Sequence, residues 1–219
     1  MAAQLLHLPL EADVKTLADF ARQVGGVMKE GGLIAFPADT VWGLGCSALA
    51  PAAIERIRQV KGRREDHPFP LYAASAADVW TFCGEPSKAV ESFAKEFWPG
   101  HLTMVLPLQM PLLKGVAGKD GTVGLRVPGS DWLRLCVGEI GAPMVNTSAN
   151  RTGEPTFASA EEVVANLQDE VDLIVTTELA LAGKPSTVIK PIDGGYELLR
   201  EGTIAKSDLE EVLNVARNR

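Results

Sequence analysis

A chain of 219 residues, 46% hydrophobic and 22% charged, has the make-up of a soluble globular protein and can bury a sizeable core, as one large α/β domain or two small ones. With 21 Lys and Arg against 28 Asp and Glu its formal charge is −7, which argues against a protein that coats nucleic acid or membrane and requires any anion site to be local. Cys46, Cys83 and Cys136 are far apart with no CxxC, a pattern that disfavours a disulfide framework or structural zinc and fits a reducing compartment.

The start, "MAAQLLHLPLEADVKTL", has no basic n-region and meets Glu11 and Asp13 early, so it does not read as a targeting peptide. No apolar run approaches the ~20 residues of a membrane span. The expectation is a cytoplasmic protein with no membrane partner. Apolar positions Val14, Leu17, Ala18, Ala21 and Val24 keep helical spacing and predict a helix over about 11–30, stopped by the glycines at 31–32. "LIAFP" follows as a buried strand. A second helix is predicted from Pro51 to about Val60, its cations near the C-terminus complementing the dipole. Next come a short segment at "PFPLYAA", helical stretches from Ala76 to Trp98, strands at "LTMVLPL", "TVGLRV" and "PMVNTSA", and a short helix near Asp131–Ile140. Ser159 predicts an N-cap with Glu162 completing a capping box, for a helix through Leu167. "DLIVTT", "STVIKP" and "YELLRE" read as strands, and Ser207 is expected to cap a last helix over about 207–218. Strands and helices interleave without strict βαβ alternation, which predicts a single α/β domain over 1–219 around a twisted, mixed sheet.

Several common sites are missing. "GLGCSA" at 43–48 matches G-x-G-x-x-A, but a Rossmann turn needs a strand ending into a helix, so these glycines are expected to shape a loop beside a site. The Walker loop is absent, His7, His67 and His101 are scattered without HExxH, and no G-x-S-x-G elbow surrounds Ser148. Three stretches stand out instead. Arg56, Arg58, Lys61, Arg63 and Arg64 fall within nine positions. They are either a solvated helix end or, with Gly62 between Lys61 and Arg63, cations presented to a ligand. In "TVGLRVP", strand alternation turns Thr122, Gly124 and Arg126 to one face, where an arginine beside small residues suits a polar cleft. "NTSAN" at 146–150 is a turn cap or a cluster of hydrogen-bonding groups at a strand end.

Read in order, "GGLIAFPADTVWGLGC", "KGR", "FWPGHLTMVLP", "GLRVP", "MVNTSANRTGEPT", "KPSTVI" and "LLREGTI" resemble the YrdC-like L-threonylcarbamoyladenylate synthases, with a motif-bearing core over about 31–204. The resemblance implies a twisted sheet curved around a deep, positively charged cleft with helices outside. It implies a nucleotidyltransferase that joins L-threonine, bicarbonate and ATP, with Mg2+ accompanying the nucleotide, and releases pyrophosphate. A partner transferase complex would then modify the adenosine beside a tRNA anticodon, and direct contact with tRNA is left open. By the same resemblance Lys61 and Arg63 are electrostatic catalytic groups that also meet ATP, with His67, Thr122, Ser148, Asn150, Thr156 and Arg200. Thr40, Arg126, Asn146 and Ser186 are implied for threonine, and no protein side chain is expected to hold the metal. The sequence departs from the family at Asp39 (usually Glu), Trp42 (usually Tyr), His67 (usually Asn) and Tyr72 (usually His). The alternatives are a carbamoyladenylate-type relative with another acceptor, or a non-catalytic RNA-binding module.

Overall fold

The computed structural model describes residues 2–9, 11–62, 67–110, 116–179, 181 and 183–217, with side chains to 215. Arg63 and Arg64 lie outside the described residues. The order along the chain is β1 (Gln4–His7), α1 (Val14–Lys29), β2 (Ile34–Pro37), β3 (Trp42–Ser47), α2 (Pro51–Lys61), β4 (Leu71–Tyr72), α3 (Ala76–Cys83), α4 (Lys88–Phe97) and β5 (Leu102–Pro107). It continues with β6 (Thr122–Arg126), α5 (Asp131–Ile140), β7 (Met144–Ser148), α6 (Ala160–Leu167), β8 (Leu173–Thr176), β9 (Thr187–Ile192), β10 (Gly195–Arg200) and α7 (Lys206–Arg217). One sheet runs β1-β8-β2-β3-β7-β4-β6-β5-β9-β10. It is mixed: β1–β8, β8–β2, β4–β6 and β5–β9 are parallel and the other neighbours antiparallel.

Local signals explain most boundaries. Asp13 caps α1 by accepting from the Thr16 amide at 2.7 Å, and Gly31, at φ +89°, turns the chain away after it. Ser159 accepts from the Glu162 amide at 3.3 Å, while the Glu162 carboxylate reaches back to the Ala158 amide at 2.8 Å, one residue before a standard capping box. α7 begins at Lys206, so Ser207 lies inside its first turn rather than capping it.

Two elements differ from expectation. Gln4–His7, unassigned from sequence, is an edge strand paired with β8. The glycine segment at 43–48 is not a loop but most of β3, a buried strand between β2 and β7. A Cβ at Gly43 would lie 2.8 Å from the Phe36 ring, and one at Gly45 would lie 2.2 Å from Met144 Cε and 2.9 Å from the Val145 carbonyl. The glycines therefore let a phenyl ring and a thioether lie flat across the strand, which is one meaning of glycine in a strand interior.

Alternation sorts the strands onto two faces. Leu33, Ala35, Leu44, Leu102, Met104, Val123, Leu125 and Ile189 form one core with α2, α3, α4, α6 and α7. Ile34, Phe36, Met144, Leu173 and Val175 form the other with α1 and α5. Helices α1 and α5 pack on each other and on the β8–β2–β3–β7 half of their face. Among the described residues no helix core covers the β6–β5–β9–β10 half of that face, where the alternating positions are Gly124, Arg126, Thr103, Val105, Val188 and Arg200.

Candidate active site

This uncovered half of the sheet borders a cavity of about 690 Å3 that is also walled by the β2–β3 loop, the end of α2 and the end of β7, with no acidic residue among its described lining. It falls in the usual size range for small-molecule sites. Lys61, Arg126 and Arg200 contribute basic side chains to it, with His67 at the rim.

Lys61 closes α2, where Gly62, in the left-handed region at φ +58°, ends the helix. Its buried ammonium donates to the Ser148 carbonyl at 2.6 Å, to Asn150 Oδ1 at 2.9 Å and to Ser148 Oγ at 3.2 Å. Ser148 Oγ in turn donates to Asn150 Oδ1, and the Asn150 amide donates to the Glu154 carbonyl. The end of α2 and the loop after β7 are thus welded at one wall, with the Thr152 amide donating to the Lys61 carbonyl at 3.0 Å.

Arg126, at the end of β6, is only 3% exposed. Nε donates to the Gly100 carbonyl at 2.6 Å and Nη2 to Asp39 Oδ2 at 2.5 Å, while the guanidinium lies 5.7 Å from the Tyr72 ring centre. Asp39 and Thr40 sit in the short loop that turns β2 into β3, which brings them beside β6. Tyr72, the register partner of Arg126 in β4, is buried on the cavity wall. Burial, countered by the Arg126 charge and reinforced by Asp39, pushes its phenol up to about 12, so it stays protonated. Burial also lowers His101, whose Nδ1 is 3.4 Å from Arg126 Nη2; Asp39 opposes the shift and Arg126 adds to it, which favours the neutral imidazole.

The third wall is the segment before β9. Ser186 Oγ meets Thr103 Oγ1 at 2.9 Å, and Arg200 donates to the Ser186 carbonyl from Nε at 3.1 Å and Nη2 at 2.9 Å. A bulge between Leu198 and Arg200 places Arg200, not Leu199, opposite Val188 on the cavity face. Burial and then the like charge of Arg126 lower the pKa of Arg200, so two guanidiniums share one space that favours an anion between them.

Of the residues singled out from sequence, Thr40, Lys61, His67, Arg126, Asn146, Ser148, Asn150, Ser186 and Arg200 line this one cavity. Arg63 lies outside the described residues. Thr122 and Thr156 are not among the lining residues: Thr122 Oγ1 donates to Asp120 at 2.8 Å, and Thr156 is exposed. The basic run is not a single grip on a ligand. Arg56 pairs with Asp172 at 2.7 Å on the far side of α2, and Arg58 is buried, 4.8 Å over the Phe69 ring, donating to the His67 carbonyl at 3.3 Å. Helical spacing points neighbouring cations in different directions, so only Lys61 of the described ones lines the cavity. Sequence reasoning missed Thr103, although alternation in "LTMVLP" puts it with Val105 on the cavity face. It also missed what Asp39 holds. The three cysteines are buried and unpaired, and burial pushes the Cys46 and Cys83 thiols up to about 12 and raises Cys136, so none is a ready nucleophile. Among the described residues no helix is long and apolar enough to cross a membrane.

Over residues 26–202 the sequence matches the model of the Sua5/YciO/YrdC family, described as telomere recombination. The chain belongs to this family. Within the Sua5/YciO/YrdC proteins it is 33% identical over 196 residues to the threonylcarbamoyl-AMP synthase of Pyrococcus abyssi (strain GE5 / Orsay), covering 90% of this chain and 58% of that protein. The crystal structure of P. abyssi Sua5 complexed with L-threonine matches at a TM-score of 0.85 and 31% identity, covering 97% of this chain and 61% of that one. E. coli YciO matches at a TM-score of 0.81 and 26% identity, covering 93% of this chain and 97% of that one. The chain thus spans little more than half the length of the curated synthase.

Proposed function

We propose that this chain makes L-threonylcarbamoyladenylate from L-threonine, bicarbonate and ATP, releasing pyrophosphate. The observation that carries the reading is the convergence of Lys61, Ser148, Asn150, Arg126, Ser186 and Arg200 on one cavity without acidic described walls. The likeness to a P. abyssi protein complexed with L-threonine supports it.

In this reading the guanidinium of Arg126 takes the amino-acid carboxylate, with Thr40, Asn146 and Ser186 around it, and Lys61 with Ser148, Asn150 and Arg200 faces the nucleotide. The threonine amine adds to CO2 derived from bicarbonate and loses a proton, giving a carbamate. A carbamate oxygen then bonds to the α-phosphorus as the bond to the pyrophosphate oxygen breaks. No protein nucleophile is required. The residues supply position and positive charge where negative charge collects, which is the main catalytic resource in phosphoryl and nucleotidyl transfer. Mg2+ would enter as a companion of the triphosphate, with the hydroxyl and amide oxygens of Ser148, Asn150 and Ser186 the uncharged donors nearby on the cavity wall. It would neutralise phosphate charge. Transfer of the threonylcarbamoyl group to tRNA would fall to a separate transferase complex, in the cytoplasm.

A related enzyme with another acceptor is the second reading, favoured by the buried phenol of Tyr72 beside Arg126, which gives the amino-acid wall an aromatic face. Mass spectrometry of the product from ATP, bicarbonate and labelled threonine tests both. Threonine-labelled adenylate is expected, with pyrophosphate release that needs threonine and bicarbonate together. ATP turnover indifferent to threonine would refute the first reading. Binding of RNA with steep salt dependence and no turnover would support a module without catalysis.

A further inference from the structure

Arg126 is gripped in an uneven way. Asp39 Oδ2 collects both Arg126 Nη2, at 2.5 Å, and the Gly129 amide, at 2.9 Å. The other carboxylate oxygen, Oδ1, is buried with no hydrogen-bond partner among the described residues. A buried carboxylate oxygen left this way is costly and calls for a reason in the surrounding geometry. A carboxylate acting only as counter-ion would be expected to take the arginine with both oxygens. Here only Oδ2 takes it: Nε is held by the Gly100 carbonyl, the pair is one-pronged, and Arg126 Nη1 carries no hydrogen bond to a described residue. Asp39 itself is not on the cavity wall, while Arg126 is. Closeness at the back of the pair is built in: a Cβ at Gly129 would come within 3.0 Å of Asp39 Oδ2.

We propose that Asp39 is the positioning residue of the amino-acid carboxylate site. With the Gly100 carbonyl it fixes the guanidinium from behind and leaves Nη1 as the donor presented to an incoming carboxylate. This inference rests on the reading of Arg126 as the carboxylate anchor. The short Asp side chain, on a tight β2–β3 loop, sets the depth at which Arg126 stands in the cavity.

Steady-state pyrophosphate release tests it with three variants. Asp39→Ala is expected to raise the threonine KM by about 10- to 100-fold, the scale of a misplaced anchor, with kcat at saturating threonine and the ATP KM little changed. Asp39→Asn keeps an acceptor for Nη2 and the Gly129 amide and is expected to stay close to the wild-type threonine KM. Gly129→Ala presses on Oδ2 and is expected to raise the threonine KM selectively, which keeps the test available if Asp39→Ala does not fold. A role confined to stability would lower the active fraction and kcat and leave the threonine KM in place. Equal losses in Asn and Ala would replace positioning by charge and overturn the proposal, as would an unchanged threonine KM in Ala and Gly129→Ala. A second readout does not depend on turnover: nitrogen-15 spectra of the Arg126 guanidinium, assigned through Arg126→Lys, should show hindered rotation in the wild type and its loss in Gly129→Ala or Asp39→Ala. If the wild type shows no threonine-dependent release, the functional reading fails; free rotation of Arg126 in the wild type overturns the positioning claim by itself.

Discussion

Gly202 lies where the chain leaves β10 and passes under the segment that carries Ser186, and alanine there should be disruptive for purely steric reasons. Its φ is not in the left-handed region, so the backbone tolerates a side chain. The Cβ, however, would stand 2.3 Å from the Pro185 carbonyl oxygen, 2.4 Å from the Ser186 carbonyl carbon and 2.5 Å from the Ser186 oxygen. Relief to a 3.0 Å limit needs at least 3.0 − 2.3 = 0.7 Å of separation between two stretches of backbone. Neither side is free to yield. Thr187 Oγ1, fully buried, accepts from the amides of Gly202 at 2.9 Å and Ile204 at 3.0 Å and donates to the Ile204 carbonyl at 2.7 Å, and the Thr203 amide donates to the Pro185 carbonyl at 3.1 Å. Overpacking of this kind together with one weakened hydrogen bond should cost about 3 kcal/mol, and for a domain of this size that lowers the melting midpoint by roughly 6–12 °C. Differential scanning calorimetry reads the midpoint. Because Ser186 and Arg200 adjoin the two displaced stretches, the threonine KM should rise in the same variant. A midpoint unchanged within error would show that the 185–186 and 202 stretches are not packed as described, and the geometry of that wall would have to be abandoned.

Arg126→Lys keeps the charge but cannot reach Gly100, Asp39 and a ligand together; the threonine KM should rise about 10- to 150-fold, equivalent to about 1.5–3 kcal/mol, with the ATP KM nearly constant in steady-state assays. Gly26, inside α1 with nothing within 4 Å of a Cβ, should accept alanine with a gain of about 0.5–1 kcal/mol in urea denaturation. Asp172 bears on acid stability: burial raises its pKa, but the Arg56 guanidinium and the Leu33 amide outweigh that and hold it below 3.8. Its contribution is therefore present above the unfolded value and lost as pH falls through the folded one. Melting midpoints measured from neutral to strongly acidic pH should fall less steeply below about pH 4 in Asp172→Asn than in the wild type.

Local order was readable where a local force sets it. Caps, helix-stopping glycines and two-residue alternation act between near neighbours, so Ser159, Gly31 and the facing of Gly124 and Arg126 could be inferred from adjacent letters. The strand at "GLGC" could not, because its glycines answer to Phe36 and to Met144, the latter about a hundred residues away. Charge was the most misleading signal. A run of cations looks like one device, yet a helix fans it out, and Arg56, Arg58 and Lys61 end on a distant aspartate, an aromatic ring and the cavity wall.

By itself, then, the sequence determined the mixed α/β character and the segments whose polar residues were candidates for a site, since these follow from propensity, pattern and resemblance. Only the tertiary structure decided that α1 and α5 cover half of one sheet face, and that polar residues from the other half, from the end of α2 and from β7 enclose a cavity. It alone joined Asp39 to Arg126 across 87 residues and used a bulge to turn Arg200 inward. The physical reason is that strand order and helix coverage minimise exposed apolar area over the whole chain, a sum that no short window of sequence contains.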